Sequence, residues 1–125
     1  MARNILVVED DELLGALTAE SLSSLYADQV LRCANADEAL ALMSAGVNVS
    51  LVFTDIHMPG EMDGLGLARE IWRTWPEVPM LLTSGDAVVP LETLPANASF
   101  LSKPWTLDEL VECIDRLTHL PRRPA

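Results

Sequence analysis

Short runs of aliphatic and β-branched residues alternate along this chain with longer segments in which apolar side chains recur every three or four positions. Asn4-Ile-Leu-Val-Val8 is apolar after its first residue and is followed by three carboxylates, the pattern of a short strand buried on both faces. A helix is predicted from about Asp11. Leu14, Leu17, Leu22 and Leu25 share one arc of its wheel, with Glu12 and Glu20 outside it, so that arc is expected to pack on a sheet. The alternation repeats as a strand near Asp28 to Cys33, a helix near Ala36 to Ala45, a strand near Val49 to Thr54, a helix near Leu65 to Arg73 and a strand near Val78 to Thr83. The last helix carries Leu107, Leu110, Val111, Ile114 and Leu117 on one stripe and closes at Leu120-Pro121. Asn35 with Glu38, and Thr106 with Glu109, have the spacing of an N-cap and a reciprocal acidic partner, which marks two helix starts.

Strands that alternate with crossovers imply a parallel sheet with helices on both faces, because right-handed βαβ units require it. The fold class expected is therefore α/β. Gly85 to Ser99 departs from the pattern: Pro90 and Pro95 interrupt it and no helical stripe survives, so a fourth crossover helix is expected to be reduced or missing.

A chain of 125 residues suits one domain, here residues 1–120, with 121–125 as a short tail. Its 19 acidic against 8 basic side chains give a net charge of −11, which repels nucleic-acid phosphates, and the one basic cluster is Arg122-Arg123. No nucleic-acid partner is expected. No apolar run approaches the ~18 residues of a membrane span and Met-Ala-Arg-Asn does not open a signal peptide, so a cytoplasmic protein without membrane contact is expected. Cys33 and Cys113 have neither metal-ligand nor redox spacing and read as buried thiols. Trp72, Trp75 and Trp105 fall on or beside helix stripes and read as core or helix anchors.

In open α/β sheets, chemistry gathers at the carboxyl ends of strands. Here those ends carry Glu9-Asp10-Asp11, Thr54-Asp55, Thr83-Ser84-Gly85 and Ser102-Lys103-Pro104. Asp11 on its own reads best as a helix cap. Glu9, Asp10 and Asp55 brought to neighbouring strand ends repel unless a cation neutralises them, and Mg²⁺ suits such an open acidic cluster because it takes few carboxylates and keeps waters and phosphate. An aspartate can act as nucleophile toward phosphorus if the transferring oxygens are stabilised. Asp55 is that candidate, with the metal, the Lys103 ammonium and the Ser84 hydroxyl each covering one oxygen. Alone, Lys103 reads as a solvated side chain and Ser84 as a turn hydroxyl; the combination points to a phosphoryl site.

ILVVEDD at the first strand, FTDIHMPGEMDG around the third, PMLLTSGD at the fourth and FLSKPW at the fifth resemble the receiver domains of two-component response regulators over nearly the whole chain. The resemblance implies a flavodoxin-like five-stranded parallel sheet in the order 2-1-3-4-5. It implies that Asp55 is the phosphoacceptor, Glu9 and Asp10 the acidic pair, and the backbone carbonyl of His57 a further Mg²⁺ ligand. It also implies that Ser84 is the switch hydroxyl, with Thr83 one residue early and turned away, that Phe100 is the switch aromatic, and that Lys103-Pro104 is a cis junction. His57 and Asp86 would flank the path of attacking water, and the partners would be a histidine kinase or histidine phosphotransfer protein and an unidentified downstream protein. Such a chain is a signalling phosphoacceptor, not a turnover enzyme. Glu61 looks like an insertion in the loop after Pro59, and the segment between Ser84 and Phe100 is short for the family.

Three other functions compete. An aspartyl phosphohydrolase resembling haloacid dehalogenases would carry an acid/base aspartate where His57 stands, and has no room for a cap domain. A flavin-binding module would need a phosphate-cradling first loop, which Glu9-Asp10-Asp11 opposes. An adaptor that signals without phosphorylation would not need the full set of acidic pair, Asp55, hydroxyl and lysine.

Overall fold

The structure is a computed structural model that describes residues 2–58, 60, 62–85 and 94–124. The strands are β1 (Asn4–Val8), β2 (Gln29–Cys33), β3 (Val49–Asp55), β4 (Met80–Ser84) and β5 (Ala98–Ser102). The helices among the described residues are α1 (Glu12–Leu25), α2 (Ala36–Ser44), α3 (Gly64–Thr74) and α4 (Leu107–Leu117). The strands form one sheet in the order β2-β1-β3-β4-β5 with every pairing parallel, as expected. Residues 86–93, which include Asp86 and Pro90 and most of the crossover where a reduced helix is expected, lie outside the described residues, as do Pro59 and Glu61. Among the described residues no helix is long and apolar enough to cross a membrane.

Alternation along the strands divides the core into two layers. Leu6 and Val8 of β1, Val52 of β3 and Met80 and Leu82 of β4 meet Ala36, Ala39 and Met43 of α2 and Leu67, Ala68 and Ile71 of α3. Ile5, Val7, Leu51, Phe53 and Leu81 point the other way, toward Leu22 of α1 and Leu110, Cys113 and Ile114 of α4. Cys33 belongs to the first layer and Cys113 to the second, so the two free thiols lie on opposite faces of the sheet. β4 starts two residues later than the apolar run suggests. Pro79 has no N–H to give a ladder, although its carbonyl still accepts from Val52 at 3.0 Å.

The helix starts follow the sequence closely. Asp11 caps α1, accepting from the Leu14 N–H at 3.0 Å. Thr106 and Glu109 form the reciprocal capping box at α4. Asn35 caps α2, but Glu38 reaches back past it to the Ala34 N–H, so that box closes one residue earlier in the chain than expected.

One expectation fails. The α1 face that meets the sheet is Gly15, Thr18 and Leu22, while Leu14 and Leu17 are 43% and 53% exposed. The small side chains at 15 and 18 let the helix sit beside β2, where a methyl group on Gly15 would stand 3.2 Å from the Arg32 guanidinium. That guanidinium is bonded to the Glu12 carbonyl at 2.8 Å, which ties the first half of the helix in this rotation; Leu22 and Leu25 of the expected arc pack on the second layer, and Leu14 and Leu17 face outward. Leu107 at the start of the α4 stripe is likewise exposed.

Residues beyond α4 close the bottom of this layer. Leu120 is buried, Arg122 bridges antiparallel to Tyr26, and the Ala27 and Arg123 N–H groups donate to Pro121 and Leu25. Arg122 lies over the Tyr26 ring and pairs with Asp115, which also accepts from the Tyr26 hydroxyl. Arg123 donates to the Ser23 carbonyl. The basic pair at the end of the chain is thus engaged with the fold itself.

Candidate functional site

Parallel pairing lines up the strand ends. Val8 stands beside Thr54, Asp55 beside Thr83, and Ser84 beside Ser102, so the residues that follow each strand converge at one edge of the sheet. The crossovers lead away from that edge, which leaves it open to polar chemistry.

Asp55 is buried and held at both carboxylate oxygens. The His57 backbone N–H donates to Oδ1 at 3.0 Å, and the Lys103 ammonium approaches Oδ2 at 2.5 Å. Lys103 also reaches Glu9 Oε1 at 3.5 Å, so one cation bridges two carboxylates from different strands. Its own position is fixed by its backbone N–H on the Ser84 carbonyl at 3.0 Å and by a cis peptide to Pro104, the junction the resemblance implies. Burial works against the Lys103 charge, but the hydrogen bond and charge of Asp55, followed by those of Glu9, outweigh it and hold the ammonium above its ordinary pKa.

Glu9 shows the opposite balance. Burial, with the like charge of Asp55 and the neighbouring Asp10 carboxyl, pushes its carboxyl up to about 7, against the lowering effects of the Asp11 N–H and Lys103. Asp10 is exposed beside it. Among the described residues no three acidic, histidine or cysteine side chains are drawn together closely enough to hold a metal ion as they stand. The expected acidic cluster is therefore present as residues but organised around Lys103. Its chemistry still suits a hard divalent cation, since Glu9, Asp10 and Asp55 supply carboxylate oxygens.

The two hydroxyls of β4 stand at the end of the strand. Thr83 lines the same cavity as Asp55 and Lys103, its hydroxyl donating to the Leu101 carbonyl at 2.7 Å. Ser84 is buried at the last position of the strand. Phe100 is half-buried against the layer formed by α2 and α3, level with Leu82. The His57 side chain is exposed.

Gly64, which the sequence reading passed over, proves essential to the geometry. It is the first residue of α3, capped by Asp63, and its N–H donates to the Ile56 carbonyl at 2.9 Å. A Cβ there would fall 1.9 Å from the Asp55 carbonyl oxygen and 2.7 Å from the Ile56 Cα. Only glycine lets α3 abut the backbone of Asp55 this closely. The signal was available: Asp63 is a helix-capping residue, and the glycine after it stands where a better helix former is ordinary.

A doubly wound parallel sheet whose strand ends gather two carboxylates and a bridging lysine is the architecture of a receiver domain. Residues 5–115 match the response regulator receiver domain, and the chain belongs to that family. It is 36% identical over 118 residues to the C4-dicarboxylate transport transcriptional regulatory protein DctD of Rhizobium meliloti, covering 92% of this chain and 25% of that protein. It is 41% identical over 71 residues to the response regulator receiver protein CpdR of Brucella abortus, covering 54% of this chain and 58% of that one. The chain thus spans a quarter of the length of DctD. Among solved structures, a response regulator receiver protein from Sinorhizobium medicae superposes with a TM-score of 0.81 at 25% identity, covering 93% of this chain and 94% of that one. The response regulator TrrA of Thermotoga maritima, solved in complex with Mg(2+)-BeF, superposes with a TM-score of 0.78 at 28% identity, covering 94% of this chain and all of that one.

Proposed function

We propose that this receiver takes a phosphoryl group onto Asp55 and either changes its protein contacts in response or relays the group onward. The observation that carries this reading is the grip on Asp55, whose Oδ1 is fixed by the His57 N–H while Oδ2 lies against Lys103. A buried carboxylate oriented by its own backbone and faced by one cation is poised as a nucleophile with charge stabilisation already in place.

In the step proposed, an Asp55 oxygen attacks phosphorus as the bond from phosphorus to the donor breaks, and the donor leaves with that electron pair. The product is an acyl phosphate on Asp55. Lys103 follows the charge from the carboxylate to the phosphoryl oxygens. Glu9, Asp10, Asp55 and the His57 carbonyl would hold Mg²⁺, which supplies neutralisation of the phosphoryl charge. Ser84 is assigned as the hydroxyl that follows the phosphoryl group, and Phe100, half-buried on the neighbouring strand, as the aromatic that responds.

The donor partner is a histidine kinase or a histidine phosphotransfer protein. A net charge of −11, with Arg122 and Arg123 exposed but already paired with Asp115 and the Ser23 carbonyl, argues against a nucleic-acid partner and for a protein one downstream. The test is intact-mass spectrometry after incubation with acetyl phosphate, with and without Mg²⁺, on the wild type and Asp55→Asn. One phosphoryl adduct that requires Mg²⁺ and vanishes in the variant is expected. No adduct, with acetyl phosphate or a cognate kinase, would turn the reading to an adaptor that signals without phosphorylation.

A further inference from the structure

A cavity of about 610 Å³ lies between the first half of α1 and the junction of β5 with α4. Leu14, Leu17 and Thr18 form one wall, Trp105 the other, and Val7 and Phe53 the floor. Phe53 and Trp105 meet as a tilted aromatic pair with centroids 5.8 Å apart. At the strand ends the same cavity reaches Glu9, Asp55 and Lys103. A largely apolar hollow of this size with a few convergent polar groups is the form of a small-molecule site.

From this geometry we infer that the cavity binds a small amphipathic amine, its apolar or aromatic body between α1 and Trp105 and its ammonium head at Glu9. Size selects a small organic molecule. The floor and Trp wall select an apolar, preferably aromatic, body, since the ring pair offers both edge and face contacts. Charge selects the head. Two carboxylates, Glu9 and Asp55, border the cavity against one ammonium, and Lys103 is already shared between them. Exposed Asp10 adds further negative charge nearby. An ammonium is attracted to that excess and a carboxylate is repelled. The apolar walls give the ligand a reason to bind at all, because Leu14 and Leu17 expose surface that it would cover. An occupied cavity would also obstruct approach to Asp55, which makes such an amine an antagonist of whatever reaches that residue.

The inference concerns binding and stands apart from the phosphoacceptor reading, which mass spectrometry tests separately. The experiment titrates phenylbutylamine, phenylbutanol and phenylbutyrate in turn into the metal-free chain of 125 residues, following amide shifts by NMR. Saturable shifts centred on Glu9, Leu14, Leu17, Thr18, Phe53 and Trp105 are expected with the amine, with the carboxylate at least about tenfold weaker. Leu17→Ser, a change at an exposed position that the fold tolerates, is expected to weaken the amine and the alcohol alike. Glu9→Gln is expected to weaken the amine and leave the alcohol unchanged. Equal binding of amine and carboxylate would overturn the ligand class. No saturable shift from any of the three would overturn the site and leave the leucine wall to a protein surface.

Discussion

Gly64 and Gly66 lie two residues apart in α3, and the same substitution is expected to act on them in opposite directions. At Gly64 a methyl group would stand 1.9 Å from the Asp55 carbonyl oxygen and 2.7 Å from two further backbone atoms, none of which can rotate away. The start of α3 must retreat by more than about 1 Å to reach ordinary contact, stretching the 2.9 Å bond from the Gly64 N–H to the Ile56 carbonyl. Overpacking of this kind costs about 1 to 3 kcal/mol and the weakened buried hydrogen bond about 1 more, so Gly64→Ala is expected to destabilise by about 3 kcal/mol. In a domain of this size that lowers Tm by roughly 10 °C. At Gly66 the nearest atom is the flexible Met62 Cγ at 3.0 Å, which can swing aside. Removing a helix-interior glycine gains up to about 1 kcal/mol, so Gly66→Ala is expected to leave Tm unchanged or raise it by a few degrees. Thermal unfolding measures both, and the rate of acetyl-phosphate labelling reads whether Asp55 has moved. A Gly64→Ala protein that melts and labels like the wild type would refute the close-approach account, as would equal destabilisation by the two variants.

Lys103→Ala is expected to leave some Asp55 labelling but to abolish any accompanying change in tryptophan fluorescence, because the lysine ties the phosphoryl charge to the β5 junction; an unchanged response would remove that role. Asp10→Asn takes one carboxylate from a site with few and is expected to weaken Mg²⁺ binding about tenfold in a metal titration, since a nearby unit charge is worth about 1 kcal/mol or more. Identical titrations would place the ion elsewhere. Burial, with a smaller push from Glu38, raises the Cys33 thiol to about 11 from an ordinary value of 9.0. The folded chain therefore keeps a proton that the unfolded chain releases, and stability is expected to fall as pH rises from 9 to 11, by at most about 1.4 kcal/mol per unit. Cys33→Ala should flatten that part of the pH–stability curve, and an unchanged slope would show that Cys33 does not cause it.

The fold was legible because it rests on local signals that agree. Val7 and Val8 point into different core layers, as a continuous apolar strand requires, and Asp11, Asn35 and Thr106 cap the helices they precede. What the sequence hid depends on partners distant in the chain. The rotation of α1 is set by Gly15 and Thr18 meeting the sheet and by Arg32 gripping Glu12, and a helical wheel weighs leucines without seeing that small residues permit the closer approach. Tyr26, Asp115 and Arg122 meet across three segments, and nothing local in Arg122-Arg123 distinguishes a solvated basic tail from one tied back to the fold. The site divides in the same way. Strand ends can be read from the sequence and converge as expected, but the placement of Lys103 between Glu9 and Asp55 comes from the β5 turn, and the demand for glycine at 64 comes from the backbone of Asp55.

The bridging lysine gives the proposed chemistry its order. In the metal-free protein Lys103 is the cation that offsets Asp55 at 2.5 Å, while Glu9, 3.5 Å from the same ammonium, is pushed up to about 7 first by burial and then by the charge of Asp55. A second cation at Glu9 and Asp10 would counter that push without displacing the lysine from Asp55. The two positive charges would then stand on different sides of the nucleophile, an arrangement suited to the spread of charge over a transferring phosphoryl group. The lysine alone would leave most of that charge uncovered, and a metal alone would leave no tie to β5 through which the added phosphoryl group acts on the rest of the domain. Once a phosphoryl group supplies further negative charge, the divalent ion and the Lys103 contact are each expected to be required.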